Sequence, residues 1–230
     1  FALQFNTTGV GSTAVGYQAL QNQTLGNNNT GIGHMAGSSI TTGDYNVILG
    51  SGALLLATGA NNNIAIGANT LASVNLFGNN VGVGTNVLTS STSVLPNTAM
   101  GHNAMEYNTS GGANTVIGHR VMRNNLVGNS NSIFGYLAGY ANLGSHNTAM
   151  GREALNLNTV DDNTAFGYQS LMSNVTGTGL TAMGYLSLTN STGSNNTGIG
   201  YRVLTSCLAG SGNTAMGMSA LDALTTGSNN

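Results

Sequence analysis

The sequence predicts an all-β fold: a parallel β-solenoid (β-roll) of about thirteen 16-17-residue coils, assembled side by side as a homo-oligomer. Three observations predict it. A pentapeptide of the form Asn-Thr-small-apolar-Gly recurs along the whole chain, with its glycines at Gly16, Gly33, Gly50, Gly67, Gly84, Gly101, Gly118, Gly135, Gly151, Gly167, Gly184, Gly200 and Gly217. Each copy holds two apolar segments too short for helices, which need roughly 10–12 residues. The connections between copies are built of Gly, Asn, Ser and Thr, which form turns. Self-similarity at a fixed period of this length marks a repeat architecture. The glycine spacing is 17 seven times, then 16, 16, 17, 16 and 17, with no linker, so residues 1–230 read as a single array.

The first segment of each copy is N-T-A-M-G at Asn97 to Gly101, Asn147 to Gly151 and Asn213 to Gly217. Its second position is β-branched in every copy but Ser132, and its fourth is always large and apolar, from Val15 and Ile32 to Met216. Period-2 alternation with β-branched residues reads as strand. On that parity the Thr and large apolar columns both face the core. The glycine that follows marks a bend needing φ > 0 or a close backbone approach.

The second segment reads like Y-Q-A-L at Tyr17 to Leu20, and is expected to be a second short strand. Its last position is Leu or Met except at Gly37 and Gly139. The small third positions of both segments, such as Ala14 and Ala19, read as shallow surface where another chain approaches. Seven or eight polar residues then lead to the next Asn. That column is Asn except at Ser12 and Leu180, and stacked amides about 4.8 Å apart can hydrogen-bond as a ladder. Thirteen such coils make a rod on the order of 60 Å long. Asn230 falls where the fourteenth Asn is due, so the chain reads as a segment of a longer fibrous protein.

Units such as N-T-A-V/M-G-Y-Q-A-L followed by a Ser/Asn/Thr/Gly turn resemble the repeats of bacterial tail-fibre-like surface proteins. The same core is similar to the β-roll heads of trimeric autotransporter adhesins, whose units are shorter. The resemblance covers nearly the whole chain. It implies a parallel β-roll three chains wide, in an extracellular fibre that attaches a cell or phage to a surface or host ligand. The membrane anchor of the autotransporters and the C-terminal chaperone of some tail fibres have no counterpart in the array.

Composition excludes other classes. Only 4% of residues are charged, against roughly 25% in typical soluble proteins, and there is no Lys among 34 asparagines. A net charge of -2 supplies no basic face for nucleic acid and no polybasic route to a membrane surface. No apolar run approaches the roughly 18 residues of a membrane span. The lone Cys207 excludes an internal disulfide and a Cys-based zinc cluster; in a turn, it is expected to be an exposed thiol.

Candidate chemistry is sparse. His34, His102, His119, Tyr17, Tyr136, Tyr168, Tyr185 and Tyr201 share the column just after the glycine. A ring of His102 and His119 across an oligomer axis would hold a metal, but the column reads more simply as aromatic spacers or a contact surface. Asp161-Asp162 reads as a solvated turn rather than a cation site, and Arg152 and Glu153 would point to opposite faces of a strand. The run Gly31 to Gly37 lacks the phosphate-binding glycine pattern and its helix. No nucleophile–base pair is recognisable, so no catalytic, cofactor or metal residues are assigned and an enzyme is not expected. The alternative function is a monomeric ice-binding or ice-nucleating solenoid. Its signature would be an outward Thr column, and Thr does recur in nine copies at the second strand position, broken by Val47, Ile64 and Val81.

Overall fold

A computed structural model describes residues 1–72, 78–92 and 95–230. The connection Thr89 to Pro96 lies partly outside them. The protein is a β-solenoid of thirteen three-residue parallel strands about 17 residues apart, with no helix among the described residues. It comprises two compact units, Phe1–Thr115 and Val116–Asn230. In the first, β1 (Thr13–Val15), β2 (Thr30–Ile32), β3 (Val47–Leu49), β4 (Ile64–Ile66), β5 (Val81–Val83) and β6 (Thr98–Met100) pair in chain order. β7 (Thr115–Ile117) spans the unit boundary. In the second unit, β8 (Ser132–Phe134), β9 (Thr148–Met150), β10 (Thr164–Phe166), β11 (Thr181–Met183), β12 (Thr197–Ile199) and β13 (Thr214–Met216) do the same. Every repeat position meets its own equivalent, as Thr13 meets Thr30 and Val15 meets Ile32.

The strand parity is the reverse of the sequence expectation. The small central residue points inward: Ala65, Ala99, Ala149 and Ala182 are fully buried. The Thr column and the large apolar column flank it on the outside. The reason is room. A Cβ added at Gly31 would lie 2.7 Å from Cγ of Leu20, so the inward position is already occupied by the leucine of the second segment. The small third positions are core, not surface.

The second segment is also not a strand. Alternate residues take left-handed backbone, Gln18 at φ 55 and Leu20 at φ 47, so the chain curls round while still bonding coil to coil through Leu20 N–H to Ala36 O at 2.9 Å. Left-handed backbone costs a residue with a Cβ roughly 1–2 kcal/mol. Complete burial of the leucine, as at Leu20, Leu54 and Leu171, offsets this with about 1.5–3 kcal/mol. The same conformation explains why the two departures from the Leu/Met column are both glycine. Gly37 has φ 59, and the volume it leaves is filled by Ile48 and Ile40, both fully buried. At Gly139, φ 54, Ile133 takes that place. Ile48 and Ile133, enlarged members of a small-residue column, stand where a leucine is missing.

Bend glycines stacked under a following coil meet both conditions expected of them. Gly67 has φ +124, and a Cβ there would lie 2.1 Å from the carbonyl oxygen of Gly84 in the next coil.

Two polar columns run through the interior. In the first, the Asn column, backbone N–H and Nδ2 both donate to Oδ1 of the Asn one coil earlier. The two distances are 2.9 and 2.9 Å at Asn46, 3.0 and 3.0 Å at Asn63, and 3.0 and 3.2 Å at Asn80. Nδ2 also reaches a turn carbonyl, as from Asn46 to Ala60 O at 2.6 Å. The second unit repeats this from Asn196 to Asn213 and Asn230. The second column contains Ser91, Asn108, Asn125, Asn142, Asn158, Asn174, Ser191 and Cys207, all buried. Asn158 Nδ2 donates to Asn142 Oδ1 at 2.7 Å, and Asn174 Nδ2 to Asn158 Oδ1 at 2.9 Å. Coils of 16 residues lose their residue between the two columns: Asn125 to Asn131 is six steps, Asn142 to Asn147 five. The backbone rung of the first ladder passes a short coil, as Asn147 N–H still reaches Asn131 Oδ1 at 2.9 Å, while Asn147 Nδ2 turns to Asn142 Oδ1 of the second column at 3.3 Å.

Candidate functional surfaces

With both polar columns inside, three places on the outside stand out among the described residues. The first is the outward strand face. The large apolar column stands outward beside the Thr column, exposed in seven coils (Val15 57%, Met150 50% and Met183 42%) and half-buried in the other six. Strand stacking repeats these side chains about every 4.8 Å. Within each unit, a run of outward apolar side chains marks an interaction surface better than scattered single residues do.

The second is the column after the glycine. Tyr17 stacks on His34 at 5.4 Å between ring centroids. In the second unit the stack is longer. His119 lies 5.3 Å from Tyr136, Tyr168 lies 5.2 Å from Tyr185, and Tyr185 lies 5.1 Å from Tyr201, all within 10° of parallel. Arg152 fills the rung between Tyr136 and Tyr168, its guanidinium carbon 5.4 and 5.7 Å from their centroids, a cation–π contact on both faces. Glu153 fixes it, accepting from Arg152 Nε at 3.2 Å. The two residues lie in the curled segment, not in a strand, which is why they meet instead of pointing apart. Gln169 donates to Glu153 at 2.6 Å, and this bond, with the help of Arg152, holds the carboxyl below the usual carboxylate range. Glu153 in turn raises the guanidinium pKa of Arg152.

The third place is the turns. Asp161 Oδ1 accepts from Ser145 N–H at 2.7 Å, as Asp44 Oδ1 accepts from Asn27 N–H at 2.6 Å. Each is therefore one rung of an outer turn ladder. Asp162 faces His146, with Nδ1 3.4 Å from Oδ1, and both are exposed. His102 and His119 belong to different units, and no group of three metal-ligating side chains occurs among the described residues. Cys207 is fully buried, not an exposed thiol: its Sγ donates to Gly210 O at 3.5 Å, and burial pushes its pKa up. No helix among the described residues is long and apolar enough to cross a membrane.

No protein-family model matches the chain, and neither a curated protein nor a solved structure matches it.

Proposed function

We propose that the chain is a structural and adhesive segment of an extracellular bacterial or phage fibre, in which copies pack side by side, three to a rod, through the outward strand face. The observation that carries this reading is the outward large apolar column, one residue per coil, each exposed or half-buried. A surface that repeats every coil is matched at every coil only by a partner with the same rise, and a second copy of the chain has it. The low charge suits such packing, since stacked like charges would repel at each step. The three-fold state, the location outside the cell or on a phage tail, and the attachment role extend the resemblance to fibre repeats. The ligand would be a cell-surface or host molecule, with no part for nucleic acid, membrane insertion, cofactor or catalysis.

The test is solution molar mass by light scattering, with circular dichroism alongside. The native chain is expected at three times its 23.2 kDa mass. The Met150→Glu/Met183→Glu double variant should fall to the monomer with an unchanged spectrum. A monomeric native chain would overturn the proposal.

One observation favours the ice-binding alternative: the Thr column faces outward. Against it, Val47, Ile64 and Val81 interrupt the column in the first unit, and bulky Met and Phe side chains beside it break up a flat hydroxyl lattice. Inhibition of ice recrystallisation by a monomeric chain would decide for that reading.

A further inference from the structure

The tyrosine ladder of the second unit carries an inference independent of how the chains assemble. Tyr168, Tyr185 and Tyr201 stand on three successive coils with parallel rings and centroids 5.2 and 5.1 Å apart. They are partly open to solvent, with Tyr185 43% and Tyr201 50% exposed. Elsewhere in the column a tyrosine's stacked neighbour is a different residue. Tyr17 faces His34, and Tyr136 lies between His119 and Arg152. Among the described residues of this column, only this run sets phenol beside phenol.

We propose that Tyr168–Tyr185–Tyr201 is an oxidative cross-linking site, where a peroxide-dependent one-electron oxidant staples adjacent coils through dityrosine. A peroxidase with hydrogen peroxide takes one electron and one proton from each of two phenols. The two phenoxyl radicals couple through the ring carbons ortho to the oxygens. The ortho hydrogens then move to oxygen and restore both phenols. Two tyrosines and one peroxide give one dityrosine and two waters, so the chain loses two hydrogens per link. Coupling needs two radicals to meet, and the ladder holds the partner ring next to each one. A tethered partner has an effective concentration in the millimolar range, about a hundredfold or more above that of a second chain at micromolar protein. The link would join side chains 16 or 17 residues apart and oppose fraying of those coils.

The experiment oxidises the chain at micromolar concentration with peroxidase and hydrogen peroxide, then maps dityrosine by fluorescence and by mass of cross-linked peptides. The expected links are Tyr168–Tyr185 and Tyr185–Tyr201 within one chain, at a yield unchanged by dilution. Tyr45 is an internal control: it is exposed and makes no ring contact among the described residues. Tyr185→Phe keeps a stacked ring but has no phenol, and should remove nearly all intrachain dityrosine with an unchanged circular dichroism spectrum. Equal coupling at Tyr45, yield that falls with dilution, or intrachain dityrosine undiminished in Tyr185→Phe would each overturn the proposal.

Discussion

Replacing Gly67 by valine tests the bend where the coil leaves its strand. The native φ of +124 is one that a β-branched residue resists, at about 1–3 kcal/mol. The added Cβ would also lie 2.1 Å from Gly84 O and 2.6 Å from its carbonyl carbon. Those atoms are backbone and cannot rotate away, so the next coil must move. Gly67 N–H to Leu49 O and Gly84 N–H to Ile66 O, both 2.7 Å, flank the clash and would be strained, each bond being worth about 1 kcal/mol. Together with about 1–3 kcal/mol for overpacking, the loss is expected to be on the order of 5 kcal/mol. Gly59, in the connection that leads into that strand, is the control. Its Cβ would meet only Thr42 Oγ1 at 3.6 Å and its φ is unstrained, so Gly59→Val should stay within about 0.5 kcal/mol, as surface changes do. Urea unfolding followed by circular dichroism, with hydrogen exchange at Asn69 and Asn86 to localise the damage, measures both. A repeat array need not unfold in one step, so the exchange data are needed beside the midpoint. Equal midpoints for the two variants would refute the assignment of steric crowding at this column.

Leu180→Asn should be tolerated within about 1 kcal/mol, because it restores an acceptor next to Asn163 and Asn196, whereas Leu171→Asn buries an amide among leucines and should cost at least about 3 kcal/mol in chemical denaturation. Asn63→Ala leaves the buried Asn80 N–H without its 3.0 Å acceptor and should cost about 1–3 kcal/mol by the same assay. Cys207 should resist alkylation in the folded chain and react on unfolding, as timed reaction with a thiol reagent would show. Its folded pKa is raised, so the folded state keeps the proton longer than the unfolded state. The stability this contributes is complete below the unfolded thiol value of about 8.5 and falls as pH rises above it. Urea midpoints that rise from pH 8 to pH 10 would contradict that sign.

Much of the fold is written in the repeat itself. The period, the bend glycines, the buried Leu/Met column and the Asn ladder all follow from which residues recur and where. Parity is the part that misled. Size alone places Val15, Ile32 and Met150 inside and Ala14 outside, yet a coil with leucines already filling its interior has space only for Ala or Gly on the strand. The clue was the pairing of exceptions: Ile133, oversized in the small column, belongs to the coil where Gly139 replaces a leucine, and Ile48, the other isoleucine of that column, to the coil stacked on the one where Gly37 does. Only residues that share one cavity need to compensate in volume. One left-handed column was partly legible too, while the left-handed leucines of the curled segment carry no such mark. Asn28, Asn62, Asn79, Asn195, Gly11, Gly179 and Gly212 share one column, and Asn and Gly are the residues that tolerate positive φ. The second polar column announced itself as Asn108, Asn125, Asn142, Asn158 and Asn174, and it is what turns Cys207 from a surface thiol into a core one. Stacking of the tyrosines needed the structure, since a shared column does not fix the rings' orientation.

The reversed parity also changes what the oligomer proposal rests on. A narrow interior reached through small residues would have placed chain contacts at Ala and Gly, where a single substitution to a larger side chain blocks assembly. With Ala and Gly buried in the coil, such a substitution destroys the coil itself and says nothing about assembly. Contacts carried by Val, Ile, Met and Phe on the outside separate the two properties, because these side chains are not needed to close the interior. Folding and association are then distinct measurements on the same strand: Ala149 reports on the first and Met150, its neighbour, on the second. A Met150→Glu/Met183→Glu chain that lost its β-sheet spectrum along with its oligomeric mass would refute that separation, and would put the large column back in the core.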